Sequence, residues 1–171
     1  GRPLTEEELR ALGALAEARR VPILVDEVYR DDLPDPLPPA AARVSDWLLT
    51  TSSLTKVYGL GSIRVGWILT SAERAAKLRD LNDWLHVDPP GPSLAVALAA
   101  WPHLPAWRRE SARSIAACRE ILERWRDRTG MLAGPVFDGA PFYLAELGRD
   151  DREAAAEARE KGVLLAPGSY F

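Results

Sequence analysis

The residues best suited to chemistry in this sequence lie in one glycine-rich stretch, Ser53–Trp67, which reads SLTKVYGLGSIRVGW. The stretch places Lys56 in a polar turn between two apolar runs. Lysine is rare in this chain, because only three of the 22 basic residues are lysine and the others are arginine. A desolvated amine can lose its proton, whereas a guanidinium cannot. Lys56 is therefore the type of residue that Schiff-base chemistry with a carbonyl compound requires.

Two more ionisable residues stand near the ends of predicted strands. Asp26 closes the first apolar run and Arg64 lies near the start of the third, while Lys56 follows the second. Open α/β sheets bind their ligands at the carboxyl ends of strands. Taken singly, each residue has a simpler interpretation: a turn cap, a solvated loop residue or a surface ion pair. Their combination and order favour a shared site. The strand candidates are Val21–Val25, Asp46–Thr51 and Ile63–Leu69.

Helical patterns separate these strands and dominate the rest of the chain. A capping box at Thr5 and Glu8 predicts a helix over residues 6–19, and Ser71 caps a second helix that runs through Leu85. Further helices are predicted over about 92–101, 105–128 and 151–161, with later strand candidates at Pro135–Phe137, Phe142–Leu147 and Val163–Ala166. This pattern predicts an α/β part over residues 1–115 and a smaller α+β part over 116–171, joined through the long helix near 105–128.

Composition narrows the class of protein. At 171 residues the length suits one domain or a domain and a fraction, and the net charge of −3 gives no reason to expect nucleic acid or an anionic membrane as partner. No apolar run approaches the roughly 20 residues that span a bilayer. The single cysteine, Cys118, excludes an internal disulfide and a multi-cysteine metal site. We therefore expect a cytoplasmic protein that holds no metal.

The motifs in their order resemble one family. Asp26-Glu27-Val28-Tyr29, followed by Ser53–Lys56, Gly59-Leu60 and Arg64–Trp67, resembles the class I/II aminotransferases, which are pyridoxal-phosphate enzymes of fold type I. The resemblance implies the later part of the large cofactor domain, a three-layer α/β unit with a mainly parallel sheet, plus most of the small α+β C-terminal domain. It also implies a chain truncated at both ends relative to the family, with low or no activity alone.

The resemblance implies a role for each residue that would hold pyridoxal 5'-phosphate. Lys56 resembles the lysine that anchors the cofactor and then moves a proton during the reaction. Asp26 would keep the pyridine nitrogen protonated, because a buried carboxylate favours the charged form of its partner. Tyr29 would hydrogen-bond the phenolic oxygen of the cofactor.

The phosphate group would be held by a guanidinium and by hydroxyls. Arg64 matches the arginine that can bind phosphate with two parallel hydrogen bonds, and Ser53 adds a hydroxyl donor. Thr55 is a further hydroxyl candidate. These assignments follow from the resemblance, and every residue keeps its position in the family's motif order.

The function implied is transfer of an amino group between an amino acid and a 2-oxo acid, by an enzyme that is a homodimer in its full-length form. Two alternatives stay open at this point. Other fold-type-I enzymes, such as C–S lyases, use the same cofactor residues. An aminotransferase-like domain can also serve without catalysis in a transcription regulator. Assays of amino transfer against release of pyruvate and ammonia separate the two enzymes, and upstream coding sequence separates an enzyme from a regulator.

Overall fold

A computed structural model of the chain describes residues 2–86, 89–130, 136–139 and 141–170. The chain divides into two compact units. The first contains residues 1–117 with 137–141, and the second contains residues 118–136 with 142–171. The first unit carries the sheet and every residue that the sequence predicts to bind the cofactor.

The sheet of the first unit has three strands in the order β1 (Ile23–Asp26), β2 (Leu48–Ser53) and β3 (Gly66–Leu69). Strand β1 runs parallel to β2, as expected for strands joined by a long crossover. Strand β3 runs antiparallel to β2, with Ser53 opposite Gly66. The direction of β3 is a feature that the apolar pattern of the sequence does not reveal.

The first helix, α1 (Glu6–Arg19), begins with the predicted capping box. The Thr5 hydroxyl accepts a hydrogen bond from the Glu8 amide at 3.2 Å, and the Glu8 carboxylate accepts one from the Thr5 amide at 2.9 Å. Two amides that would lack partners at the helix start are thereby satisfied. The helix buries Leu9 in a core cluster with Leu48 of β2, so the local cap signal and the tertiary packing agree.

The remaining helices lie close to their predicted positions, with one exception. The short helix α2 was not predicted, because its first amides are capped by side chains that are distant in the chain. Ala41 N donates to Glu27 and Ala42 N donates to Thr50. The helices after α1 are α2 (Ala41–Val44), α3 (Ala72–Leu85), α4 (Gly91–Ala100), α5 (Leu104–Thr129) and α6 (Asp151–Glu160).

In the second unit, helix α6 follows an N-cap at Asp150, whose carboxylate accepts from the Arg152 and Glu153 amides at 2.9 Å each. In the described part of the chain, the segment predicted as a strand at Phe142–Leu147 contains a single bridge residue, Glu146, and the one predicted at Val163–Ala166 is not a strand. Leu164 of the second segment is 84% exposed. The candidate at 135–137 lies partly outside the described residues, and its described part is not a strand.

Candidate active site

The sheet brings the predicted site residues to a single edge. Asp26 is the last residue of β1 and Ser53 the last of β2, and these parallel strands end on the same side. Because β3 is antiparallel, its first residue, Gly66, pairs with Ser53. Arg64, two residues before Gly66, therefore lies at the edge where β1 and β2 end. The antiparallel third strand is what carries the arginine to the site.

Lys56 lies in a tight turn whose backbone is closed by hydrogen bonds. The Gly59 amide donates to the Lys56 carbonyl at 3.1 Å, and the Leu60 amide donates to the Leu54 carbonyl at 3.0 Å. Gly59 has φ +67°, a conformation that a side chain would strain. Val57 is buried whereas Lys56 is exposed. The turn thus holds the lysine backbone in place while its amine projects outward.

Within the described part of the chain, the amine of Lys56 makes no ion pair and no side-chain hydrogen bond, unlike Lys77, whose amine lies 2.7 Å from Glu73. An amine in this state is accessible to an aldehyde. The role of Lys56 stays a prediction, and the exposure of its side chain differs from the desolvated amine on which the prediction was based.

A cleft of about 770 Å³ opens beside the lysine turn, and its polar lining is suited to an anion. Ser53, Thr55 and Arg64 all line it. The Ser53 oxygen accepts a hydrogen bond from the Thr55 amide at 3.2 Å, which leaves its proton available for donation. Arg64 donates from one Nη to the Gly61 carbonyl at 3.3 Å. Helix α3 forms another wall, with Ala75, Leu78, Arg79 and Asn82.

Gly66 lies where β3 closely approaches the end of β2. A Cβ atom at this position would lie 3.0 Å from the Ser52 carbonyl oxygen and 3.2 Å from the Ser53 Cβ. A side chain at this position would therefore require Ser52 or Ser53 to move by a few tenths of an ångström.

Asp26 and Tyr29 lie at the site edge but do not line this cleft, and neither does Lys56. The Asp26 carboxylate is exposed, unlike the buried carboxylate on which its predicted role rests, and it accepts a hydrogen bond from the Val28 amide at 3.1 Å through one oxygen. It thus performs the turn-capping role considered for it, and its other oxygen stays available. Tyr29 is half-buried and immediately precedes a 3-10 turn over Arg30–Asp32. Of the five predicted residues, Asp26 and Ser53 end neighbouring strands, and only Ser53 and Arg64 share the cleft. Tyr29 and Lys56 each follow a strand end by three residues.

Two residues of the site neighbourhood were not assigned a role by sequence reasoning. The Glu27 side chain is nearly buried and accepts from the Ala41 amide at 2.7 Å, and burial raises the pKa of its carboxyl. Tyr58 donates a hydrogen bond of 2.6 Å to Asp31. Both contacts join residues at least 14 positions apart, so no local pattern signals them.

The described residues contain no group of three or more His, Cys, Asp or Glu side chains arranged to hold a metal ion. None of the helices in the described part of the chain has the length and hydropathy to cross a bilayer.

The sequence matches the family model for aminotransferase class I and II over residues 1–171. The chain belongs to this family. Motif order in the sequence and strand-end geometry in the structure agree with that membership. The fold is the one found in solved aminotransferases. A PLP-dependent aminotransferase from Streptococcus suis superposes with a TM-score of 0.85 at 25% identity, over 99% of this chain and 46% of that one.

Named relatives of this aminotransferase chain differ in what their names say they act on. It is 29% identical to the 3-methylarginine biosynthesis aminotransferase ArgM of Streptomyces arginensis, over 92% of this chain and 43% of that protein. It is 23% identical to the histidinol-phosphate aminotransferase of Caldicellulosiruptor saccharolyticus, over 88% of this chain and 42% of that protein. The chain thus spans less than half the length of the relatives it matches.

Proposed function

We propose that this chain is part of a pyridoxal-phosphate-dependent aminotransferase that moves an amino group between an amino acid and a 2-oxo acid. The observation that carries the proposal is the gathering of Asp26, Lys56 and Arg64 at one sheet edge by two parallel strands and one antiparallel strand. An amine, a carboxylate and an arginine beside hydroxyls are the groups that this cofactor needs.

The residues present fit the cofactor group by group. The accessible amine of Lys56 would bond to the aldehyde carbon with loss of water, and Asp26 would hold a proton on the ring nitrogen. Arg64 and Ser53 would bind the phosphate in the cleft that both residues line. Tyr29 would donate to the phenolic oxygen. When bound, the cofactor supplies the electron sink that stabilises a carbanion, and the chain supplies orientation and proton transfer.

Lys56 has a second function in this proposal. Its amine would also serve as the base that moves the proton from the substrate Cα. Its backbone is held in the closed Lys56–Gly59 turn, which limits the range of positions that the amine can occupy. A guanidinium at this position would stay charged and neither bond nor accept a proton.

Several expectations about the whole enzyme belong to the same proposal. Residues 1–115 would form part of the cofactor domain and residues 116–171 part of the small domain. Because the chain spans less than half of its matched relatives, we expect low or no activity from it alone. The full-length enzyme would be a cytoplasmic homodimer. The names of the relatives above include neither a C–S lyase nor a regulator, and we do not favour those alternatives.

The proposal is tested by locating the covalent link between lysine and cofactor. The purified chain is incubated with pyridoxal 5'-phosphate, reduced with borohydride and mapped by peptide mass spectrometry. Borohydride delivers hydride to the carbon of the C=N bond, which makes the link permanent. We expect label on Lys56 well above that on Lys77 and Lys161, which serve as surface references within the same molecule.

Lys56→Arg is the matched variant, because it keeps the positive charge and cannot form the link. It should remove the enriched label while leaving the label on the two reference lysines unchanged. Equal label on all three lysines of the unmodified sequence would refute the proposal.

A further inference from the structure

A polar contact links the lysine turn to the segment that carries Tyr29. The Tyr58 hydroxyl, two residues after Lys56, donates to the Asp31 carboxylate at 2.6 Å across 27 positions of sequence. Asp31 lies in the 3-10 turn that begins directly after Tyr29. Both partners are partly buried, so the hydrogen bond is shielded from competing water.

The Asp31 end of this contact is held firmly. The second Asp31 oxygen accepts from Arg30 at 3.0 Å, and the Arg30 guanidinium also donates twice to the Pro38 carbonyl, at 3.0 and 2.6 Å. The Arg30 Nε lies 4.0 Å from the Glu27 carboxylate, next to Asp26 in the chain. The carboxylate that accepts the hydrogen bond from Tyr58 is therefore fixed relative to the segment containing Asp26 and Tyr29.

The Tyr58 end is fixed as well. Its ring packs against the buried cluster that contains Leu54 and Leu104. Tyr58 and Val57 are the two central residues of the turn closed between Lys56 and Gly59, and Val57 is buried. Burial, together with the hydrogen bond to Asp31, raises the pKa of the Tyr58 phenol, which keeps it protonated as a donor.

We propose that the Tyr58–Asp31 hydrogen bond is a positioning contact that sets the Lys56 amine relative to Tyr29 and Asp26. Neither residue touches the cofactor in this scheme. The proposal rests on the function proposed above and adds to it a pair of residues outside the motif positions that bind the cofactor. Without the Tyr58 hydroxyl, the lysine turn should occupy a wider range of positions. Lys56 should then capture the aldehyde of pyridoxal 5'-phosphate less selectively than before.

The test uses Tyr58→Phe, which deletes only the hydroxyl, and Asp31→Asn, which keeps the size of the acceptor and removes its charge. In each variant we expect the ratio of borohydride-trapped pyridoxyl label on Lys56 to that on Lys77 to fall about three- to tenfold. The ratio in the double variant should fall no further than in Tyr58→Phe alone, because Tyr58→Phe already removes the hydrogen bond that Asp31→Asn only weakens. Tyr170→Phe is the matched control, since it deletes an exposed phenol hydroxyl in the second unit and should leave the ratio unchanged.

Amide hydrogen exchange separates positioning from general loss of structure. In Tyr58→Phe, exchange of the Gly59 and Leu60 amides, which close the lysine turn, should accelerate while that of the Val25 amide in β1 stays the same. Uniform acceleration at all three amides would overturn the proposal in favour of a merely structural role.

The labelling result distinguishes this proposal from the one on which it rests. If the unmodified chain shows no preference for Lys56, both fail. If the unmodified chain prefers Lys56 and both variants retain that preference, only the positioning role of Tyr58 and Asp31 is overturned.

Discussion

Leu54 lies two residues before Lys56 and belongs to a buried core cluster. Truncating its side chain tests whether that cluster is as tightly packed as the structure shows. Its side chain is 0% exposed and lies against Ala97, Ala100 and Leu104. Burying a leucine stabilises a fold by roughly 1.5–3 kcal/mol, and the cavity left by Leu→Ala raises the loss to about 2–5 kcal/mol. The two alanines have only single methyl groups with which to fill the space. We therefore expect Leu54→Ala to cost about 3–4 kcal/mol.

The assay is urea unfolding at pH 7 followed by tryptophan fluorescence. Five of the six tryptophans lie in the first unit, and Trp67 packs against the Leu54 cluster, so the signal reports mainly on this unit. The midpoint should fall with little change in the slope of free energy against urea. A loss of this size is a large part of the roughly 5–15 kcal/mol that holds a domain together.

Two other leucines calibrate the measurement. Leu48 is 1% exposed in a separate core cluster, so Leu48→Ala should cost a similar amount. Leu98 is 73% exposed on α4, and Leu98→Ala should change the free energy of unfolding by about 0.5 kcal/mol or less. If Leu54→Ala behaves like Leu98→Ala, the lysine turn is not anchored by this core and the reasoning is wrong.

Two further predictions concern charge. Arg64→Gln should weaken capture of pyridoxal 5'-phosphate roughly tenfold or more. Capture of pyridoxal, which lacks the phosphate, should stay unchanged, and Arg113→Gln on an exposed face of α5 is the control. Equal loss of capture for both aldehydes would count against phosphate binding by Arg64. Burial raises the Glu27 pKa above its ordinary 4.5, so the folded state binds more protons than the unfolded state just above that pH. The unmodified chain should therefore lose stability relative to the Glu27→Gln variant as pH rises from 4.5 towards 7. Urea unfolding midpoints measured for both proteins across that range test this expectation. A difference between the two midpoints that stays constant with pH would contradict burial of Glu27 as the cause.

Local signals account for the elements that were predicted well. Capping residues act on amides two or three positions away, so Thr5 and Ser71 mark the starts of α1 and α3 in the sequence itself. Helix α2 and the strand candidates late in the chain depend instead on residues that are distant in the sequence. The first amides of α2 depend on Glu27 and Thr50, and a strand forms only where another strand pairs with it. An apolar run such as Val163–Ala166 carries no information about whether a partner is present.

The sequence by itself determined the family, because residue types in motif order are read directly from the chain. It also predicted which residues are suited to hold the cofactor. Only the tertiary structure decided that β3 is antiparallel, so that Arg64 lies beside the end of β2, and that Tyr58 meets Asp31. The physical reason is the distance along the chain over which each interaction acts. Helix caps and tight turns are decided within a few residues, whereas strand direction and the Tyr58–Asp31 contact depend on packing between segments distant in the chain.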